Sequence, residues 1–296
     1  MLKQNHSFQI IAQGIMIVAS ILTLLPLLLL LMSSFADNKS ILLYGYSLIP
    51  HQFSLEAYQY IWREHMQIFR AYFITIFVTV LGTSAGLAMS ILYAYALSRP
   101  DFPGKRFFSF FILFTMLFNG GLVPTYIMYT RYLHLKNTIF ALIIPSLLMN
   151  AFNVILIRSY FQHNVPASLI EAARIDGAKE FRVLTQVVFP VSKPIIATIG
   201  LFIGVGYWND WLNGLYYVTD NRLYSIQQIL NNMLKNIEYL SKNATSVAKS
   251  TSLAGQLPAA TVRMAIAVIA LLPILIIYPI VQKYFVRGIA LGAVKG

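Results

Sequence analysis

Residues 164–190 read NVPASLIEAARIDGAKEFRVLTQVVFP, a charged, turn-containing segment set between two strongly apolar runs. Pro166 suits the first turn of a helix, with Asn164 near the capping position. Leu169, Ile170, Ala172, Ala173 and Ile175 supply a small apolar stripe, and Asp176-Gly177 stops the helix. A second short helix is predicted from about Lys179 to Val188, with Phe181, Leu184, Val187 and Val188 at helical spacing and Pro190 at its end. Small alanines next to Glu171 let a partner protein approach the backbone closely, while one charge fixes register by a directed contact. The expectation is a docking lever made of two short helices joined by glycine. The plainer alternative is an amphipathic loop helix without a partner.

The flanking runs decide the fold class. Of 296 residues, 58% are hydrophobic and 11% charged, outside the range of a soluble globular domain. A helix needs roughly 20 apolar residues to cross about 30 Å of hydrocarbon. Runs of that length occur near 11–35, 71–97, 107–129, 138–160, 194–217 and 261–281. The prediction is an all-α, polytopic membrane protein with six transmembrane helices, forming one transmembrane domain over 1–296 with its core at about 70–285. Within it, 164–190 is a cytoplasmic loop and 286–296 a cytoplasmic tail.

Composition also excludes several chemistries. The chain has no cysteine, so no disulfide or thiolate site can form, and its five histidines lie scattered without metal-ligand spacing. The formal charge of +12 invites a nucleic-acid reading, but the basic residues flank apolar spans and form no stripe interleaved with aromatics. Arg99, Lys105 and Arg106 share one tight loop; Arg158, Arg174, Lys179, Arg182 and Lys193 share another; Lys283, Arg287 and Lys295 lie in the tail. By the positive-inside rule these belong in the cytoplasm, with both termini on that side of the membrane. Arg131, Lys136, Arg222, Lys235, Lys242 and Lys249 fall on the opposite side.

Along the chain, the first apolar run is longer than the core of a signal peptide and lacks a cleavage pattern before Ser33-Ser34, so an anchor helix is expected. Asp37 to Glu64 reads as an external segment with a short helix along Leu55 to Trp62. The second span carries Gly82, Thr83, Ser84, Ala85, Gly86, Ala88 and Ser90, small residues suited to close helix packing in lipid. The third is interrupted at Asn119-Gly120-Gly121 and Pro124, either lining a wet pathway or kinked against neighbours. Asn150 and Asn153 lie in the fourth. In the fifth, a 100° wheel puts Asn209, Asp210 and Asn213 on one arc and Tyr207, Trp208 and Trp211 on the other. Asp210 is the one acid placed inside a span, so it either faces a wet cavity or serves structurally by capping freed backbone or pairing with another subunit. Residues 218–257 are expected to form a polar external loop.

The spacing of Glu171-Ala172-Ala173, Gly177 and Val187-Val188-Phe189-Pro190 resembles the coupling motif of ABC importer permeases. Val123-Pro124 through Asn137-Thr138 and Ala141 to Pro145, Trp208-Asn209-Asp210-Trp211, and the tail Arg287 to Gly296 extend that resemblance to the carbohydrate branch similar to the maltose permeases. Phe118-Asn119-Gly120-Gly121 looks like the subset handling larger or modified oligosaccharides, some containing uronates. The resemblance implies a type I importer permease fold and alternating access by rigid-body motion. It implies a second, different permease subunit, two ATP-binding subunits carrying ATP and magnesium, and an extracytoplasmic sugar-binding protein. It further implies that this chain is not itself an enzyme and binds no cofactor or metal. Glu171, Ala172, Ala173, Asp176 and Gly177 become ATPase-coupling positions. Asn119, Asn150, Asn153, Tyr207, Asn209, Asp210 and Asn213 become candidate contacts along the path of an oligosaccharide, whose hydroxyls and ring faces need amides, carboxylates and aromatic platforms.

Two other classes fit less well. An ion-coupled transporter needs membrane-embedded acids, bases or broken helices in matched halves, and only Asp210 and the Asn119 break qualify. A membrane enzyme needs a cluster of reactive groups at one membrane face, and none stands out.

Overall fold

The computed structural model describes residues 6–63, 65–242 and 259–293. Its described residues are helical apart from turns and one isolated antiparallel bridge between Ala36 and Phe53. Cα proximity divides the chain into two compact units, 1–68 with 230–274 and 69–229 with 275–296.

The first unit opens with α1, His6–Ser34, which contains Pro26. Residues Ile10 to Leu31 expose a nearly continuous apolar surface that only hydrocarbon would solvate. The hydroxyls of Ser20 and Thr23 donate to the Met16 and Ser20 carbonyls, so the helix satisfies its own polar groups. Asp37 then caps α2, Asn38–Tyr44, by accepting from the Ser40 N–H. The amphipathic α3, Glu56–Arg63, coincides with the helix expected at 55–62 and buries Ala57 and Ile61. Tyr58 stacks on Phe35 at 5.1 Å and meets the Ser34 hydroxyl at 2.8 Å, tying α3 to the end of α1.

The second unit is built on α4, His65–Ser98, whose stretch Met66–Ser98 is long and apolar enough to span a membrane. The turn after it leads to α5, Lys105–Leu117, then α6, Leu122–Ile127, which runs into a π-helical turn at Met128–Tyr132. Next come α7, Phe140–Ile143, and α8, Ala151–Asn164. The segment 164–190 holds α9, Ala167–Ile175, and α10, Glu180–Val183, followed by a π-helical turn at Leu184–Val188 and α11, Phe189–Val191. Then follow α12, Lys193–Trp208, and α13, Leu212–Tyr217; α14, Ile226–Lys242, and α15, Ala259–Ala293, complete the described chain, each with residues in both units. The core draws Ile74, Ala94, Ile157, Val183, Ile199 and Ile203 from four of these helices.

Six uninterrupted spans are not what the described residues contain. Two helices, at Gln9–Ser34 and Met66–Ser98, are long and apolar enough to cross a membrane, and two bent pairs raise the number to four at most. The expected third span is α5 with α6 and its π turn, bent by 113° at the predicted Asn119-Gly121 break. The fourth and fifth are each divided, at 144–150 and at 209–211. Pro145 explains the first division, because its ring and missing N–H end a helix. The sixth lies within α15, of which Ala260–Ile276 counts as a shorter apolar helix.

The two divided spans repair one another. The Tyr207 hydroxyl donates to the Ile143 carbonyl at 2.8 Å, and the Asn213 amide donates to the Pro145 carbonyl at 3.0 Å, both in buried positions. Backbone oxygens freed by the break at Pro145 thus find partners without water. Residues 218–257 were expected to be loop throughout, but α14 begins at Ile226, its N–H bonded to the buried Thr75 hydroxyl at 2.9 Å. The period-3.6 pattern of Ile226, Ile229 and Leu230 carries that helix, and the polar residues around them masked it. Asn231 and Asn232 lie on α14; Asn243, Thr245, Ser250 and Ser252 lie outside the described residues.

Asn137 closes the loop after the π turn onto the loop after α13. Its backbone sits at φ +56°, a left-handed conformation that asparagine tolerates better than most residues. Its side-chain oxygen accepts from the Thr219 N–H at 2.6 Å and the Asp220 N–H at 3.2 Å, and its amide donates to the Thr219 hydroxyl at 2.9 Å. Asn137→Ala is expected to cost about 2 kcal/mol through several lost bonds and a poorer left-handed residue. A thermal melt of the purified complex checks this; an unshifted midpoint would show the latch to be inert.

Candidate functional site

The segment 164–190 forms the predicted pair of short helices with altered boundaries. Asn164 ends α8 instead of capping α9, its amide reaching back to the Tyr160 carbonyl at 3.4 Å. Pro166 stands in the extended conformation just before α9, at φ −61° and ψ 131°. At the other end, Gly177 adopts φ +79° and its N–H donates to the Arg174 carbonyl at 3.0 Å, while the Ala178 N–H donates to the Ala173 carbonyl at 2.9 Å. These crossed bonds are a Schellman motif, which requires a left-handed residue at Gly177. Pro190 does not end the second helix. The chain widens into the π turn at Leu184–Val188, passes Pro190, and turns by 89° at Ser192 into α12.

With nine residues, α9 is too short to persist alone in water. Its fully buried anchor is Ile170, supported by the half-buried Ala173. The remaining face looks outward: Glu171, Ala172, Asp176 and Gly177 are exposed, as are Leu169 at 45%, Ile175 at 86% and Phe181 at 71%. Leu169 and Ile175 on α9 and Phe181 on α10 thus expose apolar surface beside Glu171, Ala172 and Asp176.

Arg174 secures the other side. Its Nε and Nη2 donate to Glu180 Oε1 at 2.9 and 2.6 Å, and Nη2 also donates to Asp101 Oδ2 at 2.9 Å. The second Glu180 oxygen accepts from the Tyr95 hydroxyl at 2.5 Å. That bond and the Arg174 guanidinium hold the Glu180 carboxyl below the usual carboxylate range against a partial desolvation. Asp101 is lowered as well, chiefly by its hydrogen bond from Arg174, whose own value is raised by the two acids. The pairing of Arg174 with Glu180 was readable as opposite charges flanking the glycine turn; that with Tyr95 and Asp101 was not, since these are distant in sequence.

The seven residues assigned to the solute path do not converge. Asn119 accepts from the Gly121 N–H at 2.8 Å and Asn150 from the Phe152 N–H at 2.9 Å, so each caps its own break, and both are exposed. Asn153 is buried on α8. Tyr207 and Asn213 meet around the carbonyls at 143–145, as described above. The wheel drawn for the fifth span fails because the helix stops at Trp208 and restarts at Leu212. Asp210 Oδ1 accepts from the N–H groups of Leu212 and Asn213 at 3.1 and 3.3 Å, an N-terminal cap for α13. Asn209 reaches back to the Val205 carbonyl at 3.0 Å and is exposed. Asp210→Asn keeps the capping oxygen and is expected to preserve assembly, whereas Asp210→Ala costs about 1 kcal/mol. Equal melting points for the two variants would remove the capping role; a loss of uptake in Asp210→Asn alone would show that the charge itself is used.

Among the described residues, no group of three or more acids, histidines or cysteines is placed to hold a metal ion. The long apolar helices and the broken spans packed among them define a membrane-embedded protein. The chain belongs to the family of binding-protein-dependent transport system inner membrane components, whose profile matches residues 107–291. It is 36% identical to the polygalacturonan/rhamnogalacturonan transport system permease of Bacillus subtilis (strain 168), over 99% of this chain and 100% of that relative. It is 29% identical to the trehalose/maltose transport system permease of Thermococcus litoralis, over 95% and 94% of the two chains. A crystal structure of a bacterial ABC transporter involved in the import of the acidic polysaccharide alginate contains a chain matching it with a TM-score of 0.80 and 30% identity, covering 96% of this chain and 99% of that one. The protein is therefore a non-catalytic, multi-pass inner-membrane subunit of a binding-protein-dependent ABC importer, with the type I permease fold, working with separate ATPase subunits and a substrate-binding protein.

Proposed function

We propose that residues 164–190 dock into a cleft of an ATPase subunit and convert its closure into alternating access for an acidic oligosaccharide. The observation that carries the docking role is the exposed face of α9 and its turn, with Leu169 and Ile175 beside Glu171, Ala172, Asp176 and Gly177, and Phe181 exposed on α10 after it. Its position in a basic loop supports cytoplasmic termini and an ATPase partner on that side. In this reading the chain crosses the membrane six times, its fourth and fifth crossings being the divided helices, and pairs with a second, different permease. ATP and magnesium stay on two ATPase subunits, whose binding and hydrolysis drive the helices between outward- and inward-facing states.

The substrate class draws on two relatives. One is named for polygalacturonan, by its name a polymer of galacturonate, and the other for alginate, described as acidic. The loops on the expected outer side add support, because Arg131, Lys136 and Arg222 are all exposed there, and Asn137 binds Thr219 and Asp220 close to them. Cationic loops favour delivery of an anionic solute. Of the seven residues expected along the solute path, Asn119, Asn150 and Asn209 are the exposed amides available to sugar hydroxyls.

The experiment is uptake by the complete complex in vesicles, comparing oligogalacturonates with maltooligosaccharides of equal length. Preferential uptake of the charged series supports this assignment. Preference for the neutral series would transfer the chain to the maltose-like group, and ATP-independent uptake would remove the docking role.

A further inference from the structure

We infer that Tyr95, Asp101 and Glu180 are positioning residues for coupling: through Arg174 they lock α9 to the end of α4. This inference rests on the docking role proposed for 164–190.

Two covalent routes leave α9: backward it joins α8 through Val165 and Pro166, and forward it passes α10, the π turn and α11 before it reaches α12. The forward route contains a glycine turn at Gly177 and an 89° turn at Ser192, and a displacement transmitted along it alone would be partly absorbed at both places. Neither route leads directly to α4; the side chains do. Arg174 stands in the last turn of α9, and its planar guanidinium is held by Glu180 and Asp101 together. Glu180 is in turn bonded by Tyr95, which is buried at 7% exposure near the C-terminal end of α4. Asp101 sits in the turn that leaves α4, between Pro100 and Pro103, whose fixed φ angles stiffen it. Arg99 completes the cluster, its Nε 3.8 Å from Asp101 and its guanidinium 5.8 Å from the Tyr95 ring centre.

An isolated exposed ion pair would do little here. This cluster differs because two carboxylates converge on one guanidinium, and because one of those carboxylates is pinned by a phenol anchored in the core. The lowered Glu180 and Asp101 values keep both acids charged at neutral pH, so the lock is closed under ordinary conditions. Since α4 is a long apolar helix packed through Ile74, Val78, Ile91 and Ala94 into the core, any motion of α9 that the lock carries reaches the membrane-spanning body directly.

The test uses the complete transporter in proteoliposomes and reads ATP hydrolysed per sugar imported. Glu180→Gln and Tyr95→Phe are expected to raise that ratio roughly five-fold, with the ATPase subunits still bound. Tyr95→Phe removes one oxygen and keeps the ring packing, so it decides the matter if Glu180→Gln folds poorly. A purely structural role would lower the amount of complex and leave the ratio alone. Because the chain has no cysteine, Asp101→Cys with Arg174→Cys introduces the only two thiols into it. In partners freed of reactive thiols, bridging the pair with a bis-maleimide is expected to restore the ratio that the unbridged variant loses. Unchanged ratios in both point variants while Gly177→Pro is uncoupled, or a bridged pair as uncoupled as the unbridged one, would overturn the lock. Normal coupling in Gly177→Pro would instead overturn the docking role beneath it.

Discussion

Gly177→Pro abolishes sugar uptake while the chain still inserts and assembles: this is the expected result, and the Schellman turn explains it. Gly177 occupies φ +79°, and its N–H closes the bond to the Arg174 carbonyl. Proline requires φ near −65° and has no N–H, so both features fail together, at a cost of about 3 kcal/mol or more. The loss falls on a nine-residue helix with one buried anchor, which has no reserve to absorb it. Space is not the constraint, because a Cβ added at Gly177 would meet nothing within 4 Å. A graded series follows. Gly177→Asn, which tolerates the left-handed region, stays near wild type; Gly177→Ala loses about 1 kcal/mol from backbone strain; Gly177→Pro transports nothing. Uptake and ATPase rates of the reconstituted complex decide it. A proline variant with normal uptake would show that the turn does not shape the coupling surface.

The part of this site that was legible in the sequence is the part written locally. Asp176-Gly177 ending one helix, and apolar residues spaced on both sides, depend on neighbours within a few positions. The short helix near 55–62 and the break at Asn119-Gly121 were legible for the same reason. What hydropathy concealed was discontinuity. A run such as 138–160 looks like one span because its residues are apolar on average, yet Pro145 divides it. The wheel for 207–213 failed likewise, since a wheel presumes an unbroken helix. The polar residues of those breaks were read as facing a solute. Tyr207, Asp210 and Asn213 instead satisfy backbone groups that the breaks release: Asp210 accepts from N–H groups two and three residues on, while the carbonyls that Tyr207 and Asn213 meet lie more than 60 residues away in sequence.

The small residues of α4 yield the second large effect, and here the sign depends on the position. Replacing a helical glycine by alanine ordinarily gains about 0.5–1 kcal/mol from reduced chain entropy. At Gly86, however, the new Cβ would lie 2.7 Å from the Leu148 carbonyl oxygen, a backbone atom in the irregular segment between α7 and α8. That atom cannot rotate away; either α4 or the 144–150 segment must move. Overpacking of this kind costs about 1–3 kcal/mol, which exceeds the entropic gain. At Gly206 on α12 the nearest atom is the Leu147 Cδ2 at 3.7 Å, an ordinary contact, so the gain stands unopposed. Gly86→Ala is therefore expected to lower the thermal midpoint and the yield of assembled complex, and Gly206→Ala to leave both unchanged or raise them. The consequence extends beyond stability, because 144–150 carries the Pro145 carbonyl that Asn213 binds. A shift there loosens the repair between the two divided spans, so uptake in Gly86→Ala should fall further than the amount of complex does. If Gly86→Ala and Gly206→Ala behave alike, the close approach of α4 to Leu148 is not a constraint on this protein, and the small residues of α4 serve general packing in lipid.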